Sequence, residues 1–235
     1  ARSKAYLFAG VEIRWRCDPA LLANDDPVPA EAVLHYPGGL SDYLNDATAD
    51  TALLVSTPFA DLVELDGQKF EWAITWLGAG EDGFFHSYCN TVPTPSGGTH
   101  EAGFRQAITR ALRSFGDLAG NRKAAEITAD DVFAGTAVML SVFLRDPQFQ
   151  GQTKDRLVSA DATRQTEQAA RDRFEQWLAA DATRANFLLD AAIERAEERK
   201  RRKKEREVAR KSATRRLRLP GKLADCTAID TDLTE

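Results

Sequence analysis

Residues 137–144 form a nearly continuous apolar run, interrupted only by Ser141 and containing Val138, Val142 and Phe143. A run of this length predicts a strand buried on both faces. Pro147 has no amide to give to a sheet ladder, so the strand is expected to end there. The following stretch, residues 146–157, is short, polar and glycine-containing, and it presents Gln152, Thr153 and Lys154 in succession. A lysine acts on phosphate as a flexible point charge, and a neighbouring amide can orient a phosphate oxygen or a water. The same residues fit a solvated loop between a strand and a helix. Gln-Thr-Lys is too short a motif to choose between the two.

The chain has 235 residues and 43% hydrophobic content, enough for one large domain or two small ones with a real core. Its formal net charge is −5, but the distribution is uneven. Residues 199–218 carry twelve Lys/Arg and two Glu, a net of +10, so the other 215 residues sum to −15. One basic segment in an acidic chain points to a local electrostatic role. Cys17, Cys89 and Cys226 are odd in number and widely spaced, and no Cys/His cluster has metal-ligand spacing. A reduced, cytosolic protein with no metal site is the expectation. No apolar run approaches 18 residues and no signal peptide is evident, so no membrane association is expected. The chain opens at Ala1 and Met139 is its one methionine, which suggests an excerpt or a processed chain.

Taken in order, residues 1–17 read as a polar start and then a half-buried strand, with Val11, Ile13 and Trp15 alternating with charge. Residues 18–37 read as loop, and residues 40–45 as a short helix after Gly38-Gly39. Residues 59–65 and 69–77 flank Asp66-Gly67, a hairpin signal. In the second strand Phe70, Trp72, Ile74 and Trp76 share one face, with Lys69, Glu71 and Thr75 opposite. Residues 84–92 read as a third strand of the same antiparallel sheet. Residues 99–118 form an amphipathic helix, with Phe104, Ala107, Ile108, Ala111, Leu112, Phe115 and Leu118 on its buried face. Gly97-Gly98-Thr99 at its start fits capping and tight packing, or free amides offered to an anion. His100 fits an oriented structural histidine better than a catalytic base, because no second partner is visible. Thr128 opens a short helix with an acidic first turn. Residues 161–179 and 181–216 are helical, each with an Asp near its start. The second is expected to lose its apolar face beyond Ala196 and to end at Pro220-Gly221.

Three segments carry a resemblance. Pro93-Thr94-Pro95-Ser96-Gly97-Gly98-Thr99-His100-Glu101-Ala102-Gly103-Phe104, Phe149-Gln150-Gly151-Gln152-Thr153-Lys154 and Leu219-Pro220-Gly221-Lys222-Leu223-Ala224-Asp225-Cys226 stand in this order. Together they resemble signature segments of the ATPase-bearing B subunits of bacterial type IIA DNA topoisomerases. The likeness runs from about Arg2 to the last residue, and Ser87-Tyr88-Cys89-Asn90-Thr91-Val92-Pro93 leans to the topoisomerase IV branch over the gyrase branch.

The resemblance implies an α+β transducer domain of ribosomal-protein-like fold. It would have an antiparallel or mixed sheet, packed helices and a left-handed β-α-β crossover, against the usual right-handed preference, followed by long C-terminal helices. It divides the chain into residues 1–18, the tail of an upstream GHKL ATP-binding domain; 19–180, the transducer core; 181–219, a long basic helix; and 220–235, a linker toward a metal-binding cleavage domain. It implies that Lys154 is catalytic at the γ-phosphate of ATP and that Gln152 contacts the same phosphate. Magnesium would accompany ATP, held by residues outside this chain. The implied partners are an A subunit in an A2B2 assembly, a second copy of the same subunit, and double-stranded DNA. The implied reaction is ATP-driven strand passage, with no turnover by this chain alone. A DNA-binding stalk without ATP chemistry, and a structural spacer, are the competing readings.

Overall fold

The computed structural model describes residues 1–22 and 28–216. The Leu219–Cys226 segment, Cys226, the expected helix stop at Pro220-Gly221 and the expected linker lie outside the described residues. Two compact units are present, residues 1–193 and residues 194–235.

The first unit is built on a five-stranded mixed sheet. β1 (Glu12–Arg16) and β2 (Glu31–His35) form a separate antiparallel pair; the sheet itself comprises β3 (Phe59–Leu65), β4 (Gln68–Trp76), β5 (Phe84–Cys89), β6 (Val92–Pro93) and β7 (Thr136–Phe143). Its order is β3-β4-β7-β5-β6. β3 and β4 are joined by Asp66 (φ 52°) and Gly67 (φ 70°), the two left-handed residues that a tight hairpin turn demands. β7 runs antiparallel to β4 and parallel to β5. The apolar run is buried as expected, and it holds the central position.

That position corrects two expectations. The strands at 59–65, 68–76 and 84–89 do not form one antiparallel sheet, because β7 inserts between β4 and β5 and makes the sheet mixed. Residues 84–92 are not one strand either. Asn90 (φ 49°) and Thr91 (φ 66°) turn the chain, and β6 comes back antiparallel to β5.

Register decides what each sheet face meets. Phe70 pairs with Val142, Trp72 with Leu140 and Ile74 with Val138, and all six side chains belong to the larger core. That face is covered by α3 (Thr99–Leu118) and α5 (Ala160–Ala179), through Phe104, Ile108, Leu112, Phe174 and Leu178. A short turn and α4 (Ala129–Phe133) lead from α3 into β7; the short helix with an acidic first turn is present, and Thr128 and the Asp131 carboxylate form a capping box at its start. Gly103 lets α3 and α5 approach closely, since a Cβ there would lie 2.2 Å from the Thr163 carbonyl oxygen. Leu118, expected on the buried face, is 90% exposed because it lies in the last turn of α3, past the end of the sheet contact.

The opposite face is also covered, in keeping with the burial on both faces expected of β7. Residues 2–7 are not a polar start but α1 (Arg2–Leu7), with Ala5, Tyr6 and Leu7 buried. α1 and α2 (Leu40–Ala47) pack Leu7, Leu40 and Leu44 against Ala73, Ala137 and Met139. The Tyr6 ring stacks on Tyr43 at 4.3 Å, and its hydroxyl donates to Asp46. Glu71 and Thr75, on the face opposite Phe70 and Trp72, are therefore buried. Glu71 is retained because it serves α2: its Oε1 accepts from the Leu40 amide at 3.1 Å, and Lys69 stands 3.3 Å from Oε2.

The β1–β2 pair is less covered. Trp15 is exposed along with Val11 and Val33, so β1 is not the half-buried strand expected, and residues 31–35 are strand, not loop. α6 (Ala182–Arg216) starts with Asp181 Oδ1 accepting from the Arg184 amide at 3.0 Å. Its early turns bury Ala185, Leu188, Leu189, Ala192 and Ile193, while Phe187 is exposed. In the second unit, side chains 201–210 are exposed, with ion pairs Arg202–Glu198 and Arg201–Glu205.

Phe174 is fully buried and touches the rings of Phe59, Trp76 and Trp177. Phe174→Ala is expected to destabilise the chain by about 3–5 kcal/mol through lost transfer and cavity energy, read as a shifted midpoint in chemical denaturation.

Candidate functional site

After β7 the chain forms a small hairpin. β8 (Phe149–Gln150) pairs with β9 (Arg156–Leu157), Phe149 opposite Leu157 and Gln150 opposite Arg156. Residues 151–155 form its tip. Gly151 (φ 74°) and Lys154 (φ 59°) both take left-handed backbone conformations. For a lysine this costs on the order of 1 kcal/mol, which the surrounding bonds must offset. The side chains of Gln152, Thr153 and Lys154 are all exposed. The Lys154 ammonium lies 5.8 Å from the Phe149 ring centroid and makes no ion pair among the described residues. The structure thus joins features of both sequence readings: the tip is solvated, yet it is a built hairpin with a defined root.

The root is fixed by backbone atoms. The Ser96 amide donates to the Asp155 carbonyl at 3.0 Å, and the Leu157 amide donates to the Gly97 carbonyl at 3.1 Å. Gly98 bridges Leu157 as an isolated parallel pair. A Cβ on Gly98 would lie 2.2 Å from the Leu157 carbonyl oxygen, and its φ of +143° is one that side-chain-bearing residues rarely adopt. Gly97-Gly98 therefore acts by tight packing. Gly98 is the N-cap residue of α3 and supplies no side-chain cap.

Under this root lies a buried polar chain. Ser87 Oγ is 2.6 Å from Thr94 Oγ1 and donates to Glu101 Oε1 at 2.6 Å. Thr94 Oγ1 lies 3.0 Å from His100 Nε2. His100 is fully buried, and its Nδ1 has no hydrogen-bond partner among the described residues. Burial pushes its pKa down to about 4, so the ring is neutral at pH 7. Here it orients α3, and nothing in its setting makes it a surface base. Burial raises the Glu101 carboxyl, while the Ser87 hydroxyl and the nearby Arg105 and Arg156 charges pull it back. Sequence reasoning missed Ser87 and Glu101 as parts of this site, and no local pattern marks either residue.

Among the described residues no group of three or more His, Cys, Asp or Glu converges to hold a metal. No described helix is long and apolar enough to cross a membrane. What the hairpin tip offers is the exposed Lys154 ammonium, an amide two residues before it and a hydroxyl between them, with a second exposed cation, Arg156, on β9. That arrangement suits an anionic oxygen, not a metal.

A family model for DNA gyrase B matches residues 39–208, which takes in the sheet, the two helices over its larger core and the hairpin. This chain belongs to the DNA gyrase B family. Curated relatives include the DNA topoisomerase 4 B subunit of Caulobacter vibrioides, 50% identical over 240 residues, covering 100% of this chain and 34% of the relative. The Bartonella bacilliformis protein of the same name is 52% identical over 229 residues, covering 97% and 33%. The chain thus spans about a third of the length of these relatives. Among solved structures, the 43K ATPase domain of Thermus thermophilus gyrase B matches with a TM-score of 0.71 at 27% identity, over 88% of this chain and 54% of that one. The topoisomerase IV ATP-binding domain of Francisella tularensis matches at 0.69 and 25%, over 84% and 51%.

Two outcomes follow from the root. Gly98→Ala is expected to cost about 2 kcal/mol or more, through a clash and a disfavoured φ, and to speed hydrogen exchange at the Leu157 amide. For His100, the unfolded chain takes up a proton near pH 6.5 while the folded chain resists until about pH 4. Its contribution to stability is therefore lost as pH falls through that window, by roughly 3 kcal/mol in all. Denaturation across pH 4 to 7 should show this loss in the parent chain and its absence in His100→Gln.

Proposed function

We propose that this chain is the transducer region of the ATPase-bearing B subunit of a type IIA DNA topoisomerase, of the topoisomerase IV branch. In this reading the complete subunit works in the cytoplasm as an ATP-dependent isomerase of DNA. It assembles with a second copy of itself and with an A subunit in an A2B2 complex, and acts on double-stranded DNA. The left-handed sense of the β5-α3-β7 crossover belongs to the same proposal, as does the transducer core at residues 19–180. The observation that carries it is Lys154: an exposed ammonium at the tip of a hairpin whose root is clamped by backbone bonds.

The mechanism follows from charge. Negative charge spreads over the transferred phosphoryl oxygens during ATP hydrolysis, and a cation already in place needs no reorganisation to stabilise it. Lys154 would reach the γ-phosphate of ATP held by the preceding domain. Gln152, on the same tip, would donate its amide to the same phosphate. Magnesium would neutralise further charge, and its ligands are assigned to residues of the longer protein. A tip that contacts the γ-phosphate only while that phosphate is attached can pass its loss to the sheet behind it. That would link hydrolysis to opening and closing of a protein gate around DNA. The relatives' printed names support the topoisomerase reading, and the solved ATPase and ATP-binding domains support the nucleotide. The exposed cations of residues 201–210 favour a second reading, a DNA-binding stalk with no part in ATP chemistry.

One substitution separates the two. In the complete subunit, Lys154→Ala is expected to leave ATP binding within about twofold and to lower turnover on the order of 10²-fold. Unchanged turnover would reject the γ-phosphate role and leave the basic helix as the feature to pursue.

A further inference from the structure

The turn between β5 and β6 does more than reverse the chain. The Asn90 amide donates to the Val142 carbonyl at 2.9 Å, one rung beyond the last β5–β7 pair, Cys89 with Val142. The Asn90 side chain then supplies the next rung. Its Oδ1 accepts from the Leu144 amide at 2.8 Å, and its Nδ2 donates to the Leu144 carbonyl at 2.9 Å. A side-chain amide thus stands in for a strand residue and satisfies both backbone groups of Leu144, which is buried. Asn90 tolerates the left-handed backbone that this needs (φ 49°) better than most residues.

Leu144 is where β7 hands over to the segment that leads into the hairpin. On the far side of the tip, Asp155 and Leu157 are held by Ser96 and Gly97. Both tethers therefore come from one stretch, residues 90–97, which runs from the turn through β6 to the start of α3. The turn itself is gripped from α1: the Lys4 ammonium donates to the Thr91 carbonyl at 2.5 Å and to its hydroxyl at 2.6 Å.

We propose that Asn90 is a positioning residue for Lys154. Its amide fixes the upstream root of the hairpin as Ser96 and Gly97 fix the downstream root, and this inference rests on the γ-phosphate role given to Lys154 above. Without the Asn90 side chain, the upstream root keeps the bonds from the Gln148 amide to Ser159 Oγ and from the Val158 amide to the Gln148 carbonyl, both 2.8 Å, the β8–β9 pairing and the β7 ladder as far as Phe143, but Leu144 loses both of its backbone hydrogen bonds. A misplacement of about 1 Å at a reacting group can cost up to about 10²-fold in rate.

The test uses the complete subunit. Asn90→Gly keeps the left-handed turn and removes the clamp. Asn90→Asp keeps the acceptor for the Leu144 amide and sets a carboxylate against the Leu144 carbonyl. Turnover should fall about ten- to a hundred-fold in Asn90→Gly and less in Asn90→Asp, with binding of ATP and of a non-hydrolysable analogue within about threefold, and with the loss persisting at temperatures well below a denaturation midpoint that itself drops because both Leu144 backbone groups lose their partner. Because Asn90 acts through Lys154, Asn90→Gly in a Lys154→Ala background should lower turnover no further. Normal turnover in Asn90→Gly, or a full additional loss in the double variant, overturns the positioning role while the Lys154 role stands. Normal turnover in Lys154→Ala removes both.

Discussion

β7 must be dry on both sides, and most of the structure answers that demand. Its side chains from Thr136 to Val142 are buried, and alternate residues point to different helix layers. Val138, Leu140 and Val142 meet α3 and α5, while Ala137 and Met139 meet α1 and α2. A strand with that requirement takes the centre of a sheet, because an edge would leave its ladder open. In that central position β4 is its neighbour on one side and β5 on the other. Glu71 and Thr75 are then buried by consequence, and each is given a hydrogen-bonded partner in the helix or loop above it.

Local signals were legible wherever a period or a turn chemistry announced itself. The 99–118 helix follows from three- and four-residue spacing, and the β3–β4 hairpin from Asp-Gly between alternating strands. α1 was not legible, since six residues hold too few turns for a period, and its burial depends on a tyrosine stack supplied by residues some thirty to forty positions away. The insertion of β7 between β4 and β5 depends on pairing across about sixty residues, and nothing local encodes it. Trp15 misled because alternation states which residues share a face, not whether anything covers that face.

The candidate site divides the same way. Gln152, Thr153 and Lys154 were visible as chemistry, because amide, hydroxyl and ammonium appear in succession. The hairpin that carries them was not, because two-residue strands are too short to show a period. Its tethers are mostly backbone to backbone, from Ser96 and Gly97, and such bonds leave no trace in residue type. Gly98 was legible as a glycine that something approaches closely, though not as to what approaches it.

The exposed tip of the β8–β9 hairpin and its tightly packed root differ in what they allow. Gln152, Thr153 and Lys154 lean on almost nothing, so replacing them removes few contacts that hold the fold together. Gly98 admits no side chain at all. On the role proposed for Lys154, reactivity and foldedness would thereby fall to different positions, the hairpin's tip and its root. A library selected only for thermal endurance would keep variants with dead tips, and the chemistry could drift or be retuned without the fold registering the change.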